Sequence, residues 1–476
     1  MPPASPSSSS DASASKGFPD PSTGAPAGAA TAVLDRPERT EAPLVLDTEP
    51  PRTLRFRDHF ALWMNLGVSL IGFSTAATVL GAKGSELSLA AAVTAIVAGT
   101  VVGTAMLGVA ALIGARTGAP AMANLRGLFG TRLSYVPTVL NIVQCVGWGV
   151  FELLTIAAGA QTVAHTDGYR WLFVVLAGAL TTALTIWPLG SIAVLRRFVA
   201  GAVAVAMVYF TVQLGRQGVP DPGAGNWHGF LGATDAMIAV SISFVPLAAD
   251  YTRHSRTPRS AFWGSFSGYT IAQVWCYVLG LMALLQSDGD PNRIFDSFLG
   301  VWAGWLFLLV LVLRETDQSF ANVYSTAMSV QNLLPKVDRR VLTGGIGLLI
   351  TVLALQIDEF TDTYTNFLGL IGSVFVPLLA VLAVDYFFGA GRHGWNLSAD
   401  APSRPLMVLP WVLGFAVYQF IAPTPVAGWW TDFWTSVQHA LHFTPQEWTS
   451  ASLFAFLVPA LATWALTALA RRTARS

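Results

Sequence analysis

Charge is what this sequence has least of. Of its 476 residues only 11% are Asp, Glu, Lys or Arg, against about 25% in a soluble domain, so most of its surface cannot face water. The 27 Lys+Arg and 27 Asp+Glu cancel, which leaves no net attraction for nucleic acid. Cysteine is nearly absent. Cys145 and Cys276 both stand inside apolar runs, which argues against a disulfide framework or a metal site and for two small buried hydrophobes. His165, His228, His254 and His439 fall in loops without ligand spacing. There is no His-Glu-x-x-His, no nucleophile elbow and no Walker loop, so no enzyme is expected. No filter segment repeats, which disfavours an ion channel.

What the chain does have is hydrophobic length. Residues 1–51 are rich in Ser, Ala, Pro and Gly and lack a continuous apolar core; they read as a disordered tail rather than a secretory signal. From 52 to 476, twelve segments reach roughly the 20 apolar residues that a bilayer requires. They are 60–80, 87–113, 135–163, 171–189, 194–214 and 234–250, then 261–285, 298–333, 341–355, 366–388, 406–422 and 450–470. The eighth is too long for a simple span and is charged midway. Arginines concentrate in alternate loops: Arg116, Arg126 and Arg132, Arg196 and Arg197, Arg253, Arg256 and Arg259, then Lys336, Arg339, Arg340, Arg392, Arg404, Arg471, Arg472 and Arg475. The other loops hold only Lys83, Arg170, Arg216 and Arg293 among many acids, including Asp167 and Asp358. By the positive-inside rule both termini are cytoplasmic, and an even number of spans crosses the cell membrane.

Two spans carry signs of interruption, at 70–75 in the first and 241–246 in the sixth, where Gly72 and Pro246 stand. Paired broken helices mark a binding site near the midplane of a transporter, although Gly and Pro are common in membrane helices. On the third span Gln144, Trp148 and Glu152 recur every four residues and share one helical face. A tryptophan alone is commonly packing. An ionisable group beside it costs about 2.5–3.5 kcal/mol at the bilayer centre, which favours a functional role for Glu152. Phe244 lies at the sixth-span break as a candidate stacking face or a core aromatic. Ser241 and Ser243 either bond their own helix or meet a ligand. The run RETDQSFAN at 314–322 is too polar for lipid. Its charges either serve a site or pair as Arg314 with Glu315 or Asp317. Asp250 and Arg253 read as topological anchors, and Asp385 as a tie at a helix end.

Four stretches carry a family resemblance: ARTGAPAMANLRGLFG at 115–130 followed by Tyr135, Pro137 and Asn141; DYTR at 250–253; NVYS at 322–325; and NFLGLIGSVFVP at 366–377 ending in Asp385-Tyr386-Phe387. Together they resemble the nucleobase:cation symporter-1 family, the purine-cytosine permeases. The resemblance implies an all-α integral membrane fold of LeuT type, a five-plus-five inverted repeat over about 57–214 and 230–389 with helices 1 and 6 broken. Two extra helices would follow over about 405–470. It implies a planar heterocycle held between the broken helices and the third and eighth spans, with Na⁺ or H⁺ as the coupling ion and no other cofactor. Trp148 then resembles the family's stacking tryptophan, Glu152 a polar position that is often an amide, and Asn322 the amide that reads the base edge. Thr316 and Asp317, with Gly72 and Phe73 of the first span, fall near the cation site. The charge on Asp317 departs from the usual pair of small hydroxyls and leaves the ion open.

The substrates expected are cytosine or a purine, then hydroxymethylpyrimidine, since Val323-Tyr324-Ser325-Thr326-Ala327 also resembles that branch. Hydantoin or allantoin is a third. An amino-acid transporter of the same architecture is the rival class, but Glu152 beside Trp148 disfavours an anionic substrate.

Overall fold

The computed structural model describes residues 50–473 apart from 81–86, 167, 187–191, 219–220, 222 and 334–336. The tail expected at 1–51 therefore lies almost wholly outside the described residues, as do Lys83, Asp167, Lys336 and Arg475 and the side chains of Arg196, Arg197, Asp317 and Arg472. The described chain is helical: α1 (Phe56–Gly67), α2 (Leu70–Leu80), α3 (Leu89–Thr117), α4 (Ala121–Phe129), α5 (Tyr135–Val163), α6 (Arg170–Ile186), α7 (Ile192–Arg216), α8 (Phe230–Ile242), α9 (Val245–Thr252) and α10 (Pro258–Gln286). There follow α11 (Asp296–Leu299), α12 (Gly304–Leu333), α13 (Arg339–Ala354), α14 (Phe360–Phe388), α15 (Val408–Ile421), α16 (Gly428–Ala440) and α17 (Ala451–Thr473).

Among the described residues, six helical stretches are long and apolar enough to cross a membrane: α3, α5, α8 with α9, α10, α14 and α17. The pair α1–α2, bent by 62° at its break, makes a seventh. Three shorter apolar helices, over Arg170–Ile186, Gly201–Arg216 and Pro405–Ile421, lie between them. The long eighth segment resolves into the short α11, a turn at 300–303, and α12, which begins at Gly304. Between α15 and α17 stands α16, which the hydropathy pattern did not announce. It exposes Trp429 and Phe433, aromatics of the kind that settle at a membrane–water interface.

The first break is displaced from the expected 70–75: those residues are helical, and the chain opens at Val68 and Ser69, with Val68 extended at φ −88°, ψ 111°. Gly72 is inside α2, where a Cβ would lie 3.1 Å from the Cys276 Cβ; close packing rather than unwinding accounts for it. The sixth-span break is milder than expected. Ser243 and Phe244 keep right-handed helical dihedrals, and α8 and α9 continue as one span. Pro246 has no N–H, and the Leu247 N–H bonds Phe244 O at 3.0 Å, three residues back. The turn tightens instead of opening, and the Ser243 carbonyl is released from the helix.

Small residues let these two spans be gripped closely. On α10, Gly264, Gly268, Ala272, Cys276 and Gly280 recur every four residues and meet α1 and α2: a Cβ on Gly268 would fall 2.5 Å from Phe60 O, and one on Gly280 would strike the Phe73 carbonyl. On α3, Gly99 and Gly103 do the same against Thr234, Ile238 and Ser241 of α8, and Gly114 against Ala249 of α9. Without water to expel, helices in lipid associate through such close van der Waals contact.

One end of the bundle is tied by buried charge. Asp250 Oδ1 accepts the Ala121 N–H at 2.9 Å, at the start of α4, a carboxylate placed at the positive end of a helix. Asp385, wholly buried, accepts both Arg404 nitrogens at 2.7 and 2.8 Å and Trp395 Nε1 at 2.8 Å. Arg404 reaches on to Gly127 O at 2.7 Å. Gly130, with φ +81°, closes α4 against Pro402, a backbone conformation that favours glycine.

Candidate functional site

The break between α1 and α2 leaves carbonyls at one stub and N–H groups at the other, and α12 supplies partners for both. Arg314 Nη2 donates to Asn65 O at 2.5 Å, and Gln318 Nε2, one turn along, to Leu66 O at 3.2 Å. The Glu315 carboxylate turns to the other stub. It accepts the Ser69 hydroxyl at 2.6 Å and the Leu70 N–H at 2.8 Å. Arg314 is 2% exposed and Glu315 0%. An anion thus faces the positive N-terminus of α2 and a cation the negative C-terminus of α1.

Beside this break lies a tight cleft of about 30 Å³, lined by Gly67, Ser69, Gly72 and Thr75 of the first span, Trp148 and Glu152 of α5, and Ser243 and Phe244 of the sixth span. Tyr269, Gln273 and Tyr277 of α10 and Gln318 and Asn322 of α12 complete it. Asn322 Nδ2 donates to Glu152 Oε1 at 2.8 Å. Glu152 Oε2, Trp148 Nε1, Tyr277 Oη and Gln318 Oε1 are buried with no hydrogen-bond partner. The cleft therefore presents two donors and two acceptors whose capacity is unspent, an arrangement that demands a polar ligand or water.

Aromatic rings flank these groups. Trp148 is set edge-to-face against Tyr364, centroids 5.9 Å apart, and Phe367, 5.5 Å. Phe244 is similarly set against Trp63 at 5.9 Å and Tyr269 at 5.1 Å. Tyr364 also bonds Thr75 Oγ1 at 2.9 Å and stacks on Phe360, which lines a wider vestibule with Gln161, His165, Arg170, Arg293 and Asp296. These rings join the wall of the cleft to the wall of the vestibule.

Of the residues singled out from sequence, Trp148, Glu152, Ser243, Phe244, Asn322 and Gly72 line the cleft. Gln144 stands behind it: its amide donates to Asn141 Oδ1 and to the released Ser243 carbonyl, both at 2.8 Å. Phe73 is fully buried against Phe298, at 5.2 Å. Thr316 turns its hydroxyl to Leu313 O of its own helix at 2.7 Å. Asp317 is outside the described side chains. Sequence reasoning passed over Tyr269, Gln273 and Tyr277, although their spacing of four down the seventh span was a legible polar stripe. It also passed over Ser69, and it took in Thr75 and Gln318 only as members of the runs 70–75 and 314–322.

Residues 48–396 match the family described as permease for cytosine/purines, uracil, thiamine, allantoin. The chain belongs to this family. The permease is 26% identical over 365 residues to YxlA of Bacillus subtilis, provisionally named a purine-cytosine permease, covering 71% of this chain and 76% of that one. It is 22% identical over 362 residues to the purine-cytosine permease FCY2 of Saccharomyces cerevisiae, covering 69% and 67%. Among solved structures it shares its fold with the inward-facing conformation of Mhp1, at TM-score 0.70 and 15% identity over 91% of this chain and 96% of Mhp1. With Mhp1, a nucleobase-cation-symport-1 family transporter, closed on bromovinylhydantoin, the TM-score is 0.64 at 18% identity over 90% and 96%. The permease is thus a multi-pass membrane transporter rather than an enzyme.

Proposed function

We propose that the permease is a secondary active symporter that imports a nucleobase, cytosine or a purine, together with Na⁺ or H⁺. The observation that carries this is the Glu152–Asn322 pair beside the Trp148 indole in the cleft at the helix break. A planar base needs a ring to lie on and groups to read its edge. Stacking on an aromatic side chain contributes about 1–3 kcal/mol per base. A carboxylate accepts from an exocyclic amine and an amide both donates and accepts. Glu152 and Asn322 have that chemistry, with Trp148 and Phe244 as stacking faces. The same carboxylate suits the amino group of hydroxymethylpyrimidine, which stands as the second substrate.

The architecture proposed is twelve spans with both termini cytoplasmic in the plasma membrane. The bent pair, the six long apolar helices and the three shorter ones make ten; α12 and α13 complete the count. The five-plus-five repeat draws support from the small-residue stripes. The seventh span grips the first and the second grips the sixth, which is the exchange that an inverted repeat requires.

Cells expressing the permease are expected to accumulate labelled cytosine or adenine, with excess unlabelled base competing and hydroxymethylpyrimidine as a parallel arm. Flat uptake of all three by well-expressed protein would remove the substrate class.

A further inference from the structure

We propose that the Arg314 guanidinium is the resident cation of the helix break, so that heterocycle binding by this permease does not require Na⁺. Resting on the symporter reading above, this inference identifies what occupies the carbonyl end of α1.

Transporters with broken helices hold Na⁺ on unwound carbonyls and on the C-terminal ends of half-helices, where the helix dipole is negative. Here two carbonyls in the last turn of α1 are engaged by side chains that the chain itself provides. Asn65 O takes a guanidinium nitrogen at 2.5 Å and Leu66 O the Gln318 amide at 3.2 Å. On the facing helix, the Leu313 carbonyl accepts the Thr316 hydroxyl at 2.7 Å, which turns that oxygen toward its own backbone. A buried arginine stays protonated. The positive charge at this stub is therefore covalent and permanent, and a second cation beside it meets like-charge repulsion in a region of low dielectric.

The neighbouring carboxylate does not restore a metal site. Glu315 spends its oxygens on Ser69 Oγ and the Leu70 N–H, at the opposite stub. Arg314 and Glu315, adjacent in sequence, thus divide the two ends of the break between them. Gln318 follows Arg314 by four residues and lies on the same helical face, which explains why both reach carbonyls and Glu315 does not.

The test uses purified full-length protein, with Na⁺ replaced by choline at constant ionic strength, and reads two quantities. Cytosine and adenine affinity is expected to agree within about twofold between the salts, whereas a coupled ion typically changes affinity by about 5–150-fold. The melting temperature of ligand-free protein is expected to be equal in both salts, since an ion that binds the folded state raises it. Higher base affinity in Na⁺, or a Na⁺-specific rise in melting temperature, would overturn the proposal. Arg314→Ala, which uncovers Asn65 O, is expected to acquire Na⁺-dependent melting; a folded variant indifferent to Na⁺ would count against it. Failure of every heterocycle to bind in either salt would instead strike the substrate reading, and the ligand-free measurement would still decide this one.

Discussion

Asn322→Ala is expected to lower heterocycle affinity about 10–100-fold, as measured by binding to purified protein and by loss of uptake in cells, while the protein still folds. Asn322 gives the Glu152 carboxylate its hydrogen-bond donor, at 2.8 Å, and the second carboxylate oxygen has no partner. With the amide removed, the group that reads the base is no longer held in one orientation. Leaving a buried polar group without its partner costs about 1–3 kcal/mol, which sets the size of the loss. Asn322 is half-buried within α12 and its side chain does not secure the helix break, so folding should survive. Glu152→Gln serves as the companion variant: it keeps an oxygen for Asn322 and exchanges the other oxygen for a donor. Wild-type affinity in Asn322→Ala would show that the base binds elsewhere.

Glu315→Ala should act on stability instead. The substitution uncaps α2 by removing the acceptor for Ser69 Oγ and the Leu70 N–H. It also strips the carboxylate that neighbours the buried Arg314. Breaking such a buried arrangement by deleting one partner costs about 3–5 kcal/mol. The expected result is poor expression and an apparent melting temperature lower by several degrees, with Glu315→Gln, which retains an acceptor, falling between the variant and the wild type. A thermal-shift series in detergent reads this directly. Glu315→Ala melting with the wild type would mean that the break is held by its packing against α10 rather than by α12.

These two residues also mark where the sequence was easy and hard to read. Helix positions followed from hydropathy because the period and length of an apolar run are local properties; the third span was expected at 135–163 and α5 is Tyr135–Val163. The break in the first span was not local. Gly72 drew attention, yet the chain opens at Val68 and Ser69, where the Glu315 carboxylate, 246 residues away from Ser69, meets the stub. Nothing near Ser69 announces that contact. The polar run of α12 was recognised as too costly for lipid, but not that Arg314 and Glu315 serve opposite stubs, since that depends on the rotation of one helix against another. The cleft was partly legible: Trp148, Glu152 and Asn322 line it. Gln144 shares the stripe of Trp148 and Glu152 but sits a turn away, where its amide donates to the Ser243 carbonyl, freed because the Leu247 N–H bonds Phe244 O instead. The α10 contribution was missed although Tyr269, Gln273 and Tyr277 recur every four residues; the stripe is visible in the sequence, but only the fold shows that it faces the break.

The most direct test of the account is a structure of the permease solved with cytosine or adenine bound. The account places the base in the cleft against the Trp148 ring, with its polar edge within hydrogen-bonding reach of Glu152 and Asn322. Density for the base in the vestibule beside His165 and Arg293, with the cleft unchanged, would contradict it.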